Sequence, residues 1–364
     1  MTEDSTTPAP PSADRITLAT LKALATSDAQ LYAVHAQLER ISQRTTAKGN
    51  PFFEVQLVDG TATLTWRVFD GSPCFIEVRD LTSGSAIELT ADWIDTGKYG
   101  IDPRNPRLRR LDSTEEAALL SGDPDTAARQ AEDWDCIQQL LSTLRDPRLQ
   151  RLCSLFFERF GDRFRRTAAA RHNHHARRGG LVEHVAQMMR SVVALHSVYP
   201  HLNRDLLLAG ILFHDCGKLW ENSYPETGFA QPYNLTGEML GHIPLGLEVV
   251  NKLWRDVLDS ETATAWTLLE PPNELVRLHL LHLIASHHGT HEFGSPVLPK
   301  TPEAVALHHI DNIDAKLEMM RQGYQTAREL APGIFDRVSP WPTRTVSPLP
   351  ECETPASEPE TPSA

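Results

Sequence analysis

Leu206 to Phe213 reads LLLAGILF, an unbroken apolar run, and it ends in His214-Asp215-Cys216-Gly217-Lys218. No other stretch constrains the fold as tightly. A helix that is apolar on every side must be buried all round. Burying an adjacent His and Asp at its end is costly unless they are paired or hold a cation. The chain therefore needs a helical core around this segment and polar partners delivered to its end. Its 364 residues leave room for about two domains, at roughly 100–200 residues each.

The histidines say where those partners come from. Fifteen of the sixteen lie between His172 and His309. A lone histidine is more often a surface or satisfied core residue than a ligand; an ordered set on successive helices is a different signal. Gly179-Gly180-Leu181-Val182-Glu183-His184 opens a helix with His184 beside the stripe Leu181, Val185 and Met188. Gly241-His242-Ile243-Pro244, Ser286-His287-His288-Gly289 and His308-His309-Ile310-Asp311-Asn312-Ile313-Asp314 follow. The five cysteines (Cys74, Cys136, Cys153, Cys216, Cys352) are scattered, with no CxxC. That excludes a cysteine-bound zinc and a disulfide framework, and it fits reduced thiols in the cytoplasm. The expected centre is built from imidazoles and carboxylates.

Apolar residues at 3.6-residue spacing predict helices over 128–144, 147–160, 181–196, 206–214, 244–257, 273–286 and 302–322. Before residue 111 the pattern is β-like. Phe53, Val55 and Leu57 share one face of a strand, and Ala62, Leu64, Trp66 and Val68 share one face of the next. Asp59-Gly60 between them is a hairpin turn. Further strands are expected over 31–41, 74–78 and 85–93, giving five in a small antiparallel barrel. Both ends, 1–14 and the Pro/Glu-rich 341–364, are too polar to offset their ordering entropy and are expected to be disordered. Nothing resembles a signal peptide or a membrane span, so no membrane partner is expected.

Net charge is −13, but the acids cluster. Residues 111–135 hold eight against Arg129 alone, which marks 111–150 as an acidic helical linker. Global acidity therefore says little about a local groove. Arg151, Arg159, Arg163, Arg165, Arg166, Arg171, Arg177 and Arg178 run into His184 past Glu158 and Asp162, a candidate track for a phosphate backbone. His174 and His175 sit in the same loop as candidate substrate contacts. Phe52, Arg67 and Phe69 lie on the face of their strands opposite the apolar one, where they could meet bases.

The ordered set of His, His-Asp with Gly-Lys, Gly-His, Ser-His-His-Gly and Asp resembles the HD-domain metal-dependent phosphohydrolases. HNHHARRGGLVEHV, LLAGILFHDCGKLWE, TGEMLGHIPLG and LIASHHGTHEFGSPVLPKTPEAVALHHIDNIDAKLE, after a β-barrel, look more narrowly like the YhaM-type 3′–5′ exoribonucleases. The resemblance spans about residues 25–325. It implies a multidomain β + α chain, with an N-terminal small antiparallel OB-type barrel over 15–110 and a C-terminal all-α HD domain over 151–340. It also implies exonucleolytic removal of nucleotides from single-stranded 3′ ends, with RNA as the expected substrate and single-stranded DNA left open beside it. Carried over by position, His184, His214, Asp215 and Asp311 form a four-ligand core, and His242 with His287 completes a second metal position bridged by Asp215. His288 competes with His287, and Asp314 competes with Asp311. Hydrolases that act on cyclic dinucleotides share the His-Asp core, but their Gly-Tyr-Pro is absent: this chain reads HHGTHEFGSP.

The chemistry suits these residues. Cations offset charge on an attacked phosphodiester and bring the pKa of water down toward roughly 7. Imidazole with carboxylate suits manganese, iron or zinc better than magnesium; the resemblance implies a divalent metal, usually manganese, with iron, zinc, cobalt or magnesium as alternatives and one or two ions expected. Lys218 is expected as a catalytic residue at the phosphate or leaving oxygen, beside Asp215. The alternatives are an HD-type phosphohydrolase or phosphodiesterase acting on a small nucleotide, a non-catalytic nucleic-acid-binding protein, and a di-iron oxygenase. Oligomeric state is left open, with a homo-oligomer among the options.

Overall fold

A computed structural model describes residues 13–97, 100–171, 174–229, 231–259, 261–339 and 341–352. The segment before residue 13 and the tail from residue 353, both expected to be disordered, lie outside the described residues.

The N-terminal part is a sheet with strand order β4 (Thr63–Phe69), β3 (Pro51–Val58), β2 (Gln30–Thr45), β5 (Ala86–Asp95) and β6 (Ile101–Arg110). Strand β1 (Asp14–Arg15) pairs in parallel with β2 (Gln30–Thr45), and helix α1 (Leu18–Leu24) lies between them in sequence. The length of β2 lets it serve two neighbours. Gln30–Gln37 pair with β5 (Ala86–Asp95), and Gln37–Thr45 pair with β3 (Pro51–Val58) across an irregularity between Leu38 and Arg40. Such a bulge sharpens the twist of the strand. The β3–β4 hairpin turns at Asp59-Gly60 as expected, and β4 covers Thr63–Phe69. The Asp59 carboxylate accepts from the backbone N–H groups of Thr61, Ala62 and Leu18, so one buried acid fixes both the turn and the start of α1. Leu64, Trp66 and Val68 are buried and Thr63, Thr65, Arg67 and Phe69 exposed, the alternation the sequence shows.

Two expectations for this half need correction. Residues 74–78 do not form a strand: Phe75–Arg79 is helix α2. Cys74 and Val78, four residues apart, are both buried, as one helix face requires. The fifth antiparallel strand is instead β6 (Ile101–Arg110), on β5. The sheet also does not close into a hydrogen-bonded barrel among the described residues, because β4 and β6 are its two edges. Pro103 and Pro106 in β6 have no N–H to offer a further strand. The α2 corner covers the gap, with Cys74 Sγ donating to the Pro106 carbonyl at 3.1 Å and Phe75 packed on Phe53 of β3.

The C-terminal half is helical. In order come α3 (Ser113–Ser121), α4 (Pro124–Ser142), α5 (Pro147–Arg165), α6 (Gly180–Val198), α7 (Arg204–His214), α8 (Lys218–Glu221), α9 (Leu235–Leu240), α10 (His242–Leu258), α11 (Asn273–Ser286) and α12 (Pro302–Thr326). Asp123, Asp146 and Thr301 cap α4, α5 and α12, each followed by a proline in the first turn. The apolar run is the axis of this half. Every residue from Leu206 to His214 is buried, with α5, α6, α10, α11 and α12 packed around it. Phe213 meets Phe156 of α5 edge-on at 5.3 Å.

The acidic 111–150 segment is more than a linker. Ile137 and Leu141 of α4 enter the helical core, and Asp133 pairs with Arg190 of α6 at 2.6 Å. After α12, strands β7 (Glu329–Ala331), β8 (Ile334–Phe335) and β9 (Thr345–Val346) form a small sheet, so paired backbone extends into the stretch expected to be a disordered tail. Among the described residues no helix is long and apolar enough to cross a membrane.

Candidate metal centre

Five helix ends and faces converge on Asp215. His184 lies in the second turn of α6, fully buried beside Leu181, Val185 and Met188. His214 is the last residue of α7 and Asp215 caps it. His242 starts α10, His287 caps α11 with His288 next, and Asp311 lies on α12. Gly217 makes the approach of α10 achievable. A Cβ there would stand 1.9 Å from the His242 carbonyl oxygen, so any side chain would push α10 away from the His-Asp turn.

The donor atoms form two groups joined by one carboxylate. On one side, His214 Nε2 lies 3.3 Å and His184 Nε2 3.7 Å from Asp215 Oδ2, with Asp311 Oδ1 3.4 Å from His184 Nε2. On the other, His242 Nε2 and His287 Nε2 each lie 3.6 Å from Asp215 Oδ1, and the His288 ring is 4.3 Å from that of His287. His184–His214–Asp215 and His242–His287–His288 each bring three ligand atoms within 4.8 Å of one another.

Each imidazole has its Nδ1 engaged away from this cluster. His214 and His287 donate Nδ1–H to the carbonyls of Ile211 (2.7 Å) and Ile284 (2.8 Å), three residues back. His184 Nδ1 faces Asp314 at 2.7 Å, His242 Nδ1 faces Glu221 at 3.0 Å, and His288 Nδ1–H goes to the Phe293 carbonyl at 2.6 Å. A carbonyl only accepts, so His214 and His287, when neutral, carry their lone pair on Nε2. Holding one ring nitrogen so that the other faces a cation is the usual support of a metal-binding histidine.

The electrostatics agree. Burial raises the Asp215 carboxyl, but Lys218, 2.6 Å away, and His214 and His242 outweigh it and hold the group well below the usual carboxylate range. Burial and His214 push His287 well below the ordinary imidazole value. Burial lowers His184, yet Asp311 and Asp314, one on each nitrogen, hold it up at about 10. The two flanking carboxylates stabilise the charged form of the ring, and a cation held on Nε2 would take the place of that proton. Asp215 Oδ1, His242 Nε2 and His287 Nε2 are buried and have no hydrogen-bond partner among the described residues. Three buried acceptors left unpaired at one point would be costly. They fit a divalent cation, and the His/Asp donor set suits such an ion.

Other residues singled out by sequence are placed differently. His175 is 1 % exposed and sits between Asp314 (3.1 Å) and Glu183 (3.3 Å), so it supports the centre from behind and cannot meet a substrate. Its basic sequence neighbours give no hint of this, and its backbone is left-handed there, with φ +46°. Arg177 is engaged by Glu183 and Glu318, and Arg178 by the carbonyls of Pro225, Glu226 and Gly228. Arg151, Arg159 and Arg166 pair with Glu158, Asp256 and Glu226. The basic run is therefore largely taken up within the protein rather than forming a continuous track. His174 does remain at the centre, its ring 5.6 Å from that of His184; burial and Lys218 push it down to about 3. Phe52 and Phe69 stack on each other across β3 and β4 at 5.4 Å, with Phe69 exposed, and Arg67 lies 3.7 Å from Glu54. Glu221, the orienting partner of His242, escaped the sequence reading; its position three residues after Lys218 was the available signal.

Residues 181–316 match the HD domain family. That range contains all the metal-side residues named above. The chain is 32% identical over 304 residues to the 3′–5′ exoribonuclease YhaM of Geobacillus sp. (strain WCH70), covering 83% of this chain and 86% of that protein. It is 31% identical over 300 residues to the 3′–5′ exoribonuclease YhaM of Oceanobacillus iheyensis, covering 82% and 87%.

Proposed function

The chain belongs to the YhaM family of 3′–5′ exoribonucleases, and on that premise we propose that it removes nucleotides from the 3′ ends of single-stranded RNA at the centre around Asp215. It is a metal-dependent phosphodiesterase. The observation that carries the site assignment is the meeting of three unpaired buried acceptors, Asp215 Oδ1, His242 Nε2 and His287 Nε2, opposite the His184, His214 and Asp311 group.

His184, His214, Asp215 and Asp311 would hold one divalent ion, and Asp215, His242 and His287 a second, with His288 in reserve. Bound there, such ions supply charge to offset the phosphodiester and acidify a water nucleophile. The mixed imidazole and carboxylate set suits manganese, iron or zinc better than magnesium, and manganese is the ion the family resemblance implies. The protein's own groups do the rest. Asp314 and Glu221 orient His184 and His242. Lys218, buried with its Nζ 2.6 Å from Asp215 Oδ2, stands within the cluster, where it would meet a phosphate or leaving oxygen. His174, beside His184, contacts the substrate from the loop before α6. The exposed Phe69 face of the sheet offers a second contact for single strands, and single-stranded DNA is a second substrate. The free cysteines fit a cytoplasmic protein.

The test is a 5′-labelled RNA incubated with manganese-loaded protein. Stepwise shortening from the 3′ end is expected, stopped by a chelator and abolished in Asp215→Ala and His214→Ala with the helical fold retained. Undiminished degradation by Asp215→Ala removes this centre from the reaction.

A further inference from the structure

Two exposed aromatic residues sit on segments that contact the imidazole side of the centre, and among the described residues neither belongs to a hydrophobic core cluster. Tyr233, in the segment before α9, is 76 % exposed. The Arg171 guanidinium covers one face of its ring, 4.4 Å from the centroid. Arg171 is itself held by the carbonyls of Glu221 (2.9 Å), Gln231 (3.4 Å) and Pro232 (3.5 Å). Glu221 is the residue whose carboxylate orients His242. Phe293 is 64 % exposed, and its carbonyl accepts the Nδ1–H of His288. The His288 ring lies 5.1 Å from that of His242. Tyr233 is thus linked through Arg171 to the backbone of Glu221, whose carboxylate orients His242, and the Phe293 backbone is one hydrogen bond from His288.

An exposed aromatic ring forgoes burial of a large apolar surface. Tyr233 is also immobilised on one face by a cation–π contact, which leaves a single flat, ordered face toward solvent. A nucleobase matches such a face, because every base offers a flat π surface, and single-stranded RNA is commonly held by stacking on aromatic rings. We propose that Tyr233 and Phe293 are base-stacking residues that seat the 3′-terminal nucleotides of single-stranded RNA for hydrolysis; this rests on the exoribonuclease reading. Seating two successive nucleotides on separate rings needs bases free of a duplex, so the pair favours unpaired 3′ ends, and it does so without preference for sequence.

The experiment compares manganese-loaded wild-type protein with Tyr233→Ala, Phe293→Ala, Tyr233→Trp and Phe293→Tyr. The substrates are an oligoadenylate and the same RNA with abasic 3′-terminal nucleotides. Each alanine variant is expected to raise KM for the oligoadenylate roughly 5- to 100-fold, with kcat changed far less. The aromatic replacements restore KM. On the abasic RNA, wild type is weakened to the same degree and the alanine variants lose nothing more, a result that a merely structural role would not give. Oligoadenylate KM unchanged by both alanine variants, or an equal penalty on the abasic RNA, overturns the stacking assignment while leaving the exoribonuclease reading in place. Unchanged KM with a shifted sedimentation coefficient assigns the rings to contact between copies of the chain and likewise overturns it. Wild-type protein that leaves both RNAs intact refutes the exoribonuclease reading and this inference with it.

Discussion

His184 Nδ1 lies 2.7 Å from Asp314 Oδ2, while the same ring turns Nε2 toward Asp311, three residues earlier on α12. Two acids on one helix face thus take different nitrogens of one imidazole. The first prediction separates them. Asp311→Asn is expected to remove a ligand and lower metal stoichiometry. Asp314→Asn should keep the stoichiometry and weaken affinity by about 10- to 100-fold, the usual effect of losing an orienting partner. Elemental analysis with metal titration reads both. Equal loss of bound metal in the two variants would contradict the division of roles.

Gly217 tests how the two halves of the centre are brought together. The added methyl of Gly217→Ala would overlap the His242 carbonyl, which must move with α10. RNA hydrolysis should fall at least 100-fold, because displacement by about 1 Å costs on that order. Circular dichroism should still show the helical content of wild type. Near-normal activity would mean that the approach of α10 to Asp215 is dispensable.

Helix α7 carries the load of the helical half, and its burial sets the third expectation. Phe213 is fully buried against Phe156. Phe213→Ala should destabilise by about 3–5 kcal/mol, the range for truncating a buried aromatic. Urea unfolding followed by circular dichroism measures it. A loss below about 1 kcal/mol would place Phe213 outside the tight core.

Much of this was legible in the sequence, and the exceptions have physical causes. The long helices show as 3.6-residue spacing because each presents one apolar stripe. Strand β6 was hidden: Ile101–Arg110, IDPRNPRLRR, has no apolar alternation and two prolines, and it forms because β5 offers it a partner edge. Residues 74–78 misled because five apolar-rich residues fit a short strand and a single helical turn equally well. At the site, His184, His214, Asp215, His242 and His287 stand at helix ends or beside apolar stripes, and the structure brings all five together. Asp311 and Asp314 share a helix face, so only the facing nitrogen of His184 distinguishes their positions. His175 was drawn toward substrate by its basic neighbours, yet it is buried against two carboxylates contributed by α6 and α12.

Thiol reactivity checks the burial pattern independently of metal. Cys74 is buried and, through that burial and Glu77, pushed up to about 12; burial likewise raises Cys153 and Cys216. Cys352 is exposed. Raised values leave almost no thiolate at pH 8, so iodoacetamide should modify Cys352 within minutes and spare Cys74, Cys153 and Cys216 until the chain is unfolded. Peptide mass mapping reads the order of labelling. Early alkylation of Cys216 would show that the turn after Asp215 is open to solvent.

The centre itself is tested most directly by diffraction from crystals soaked in manganese, with data collected at the manganese absorption edge. Two anomalous peaks are expected, one among His184, His214, Asp215 and Asp311, the other among Asp215, His242 and His287. Peaks confined to other parts of the surface, with none at Asp215, would contradict a metal centre built from these residues.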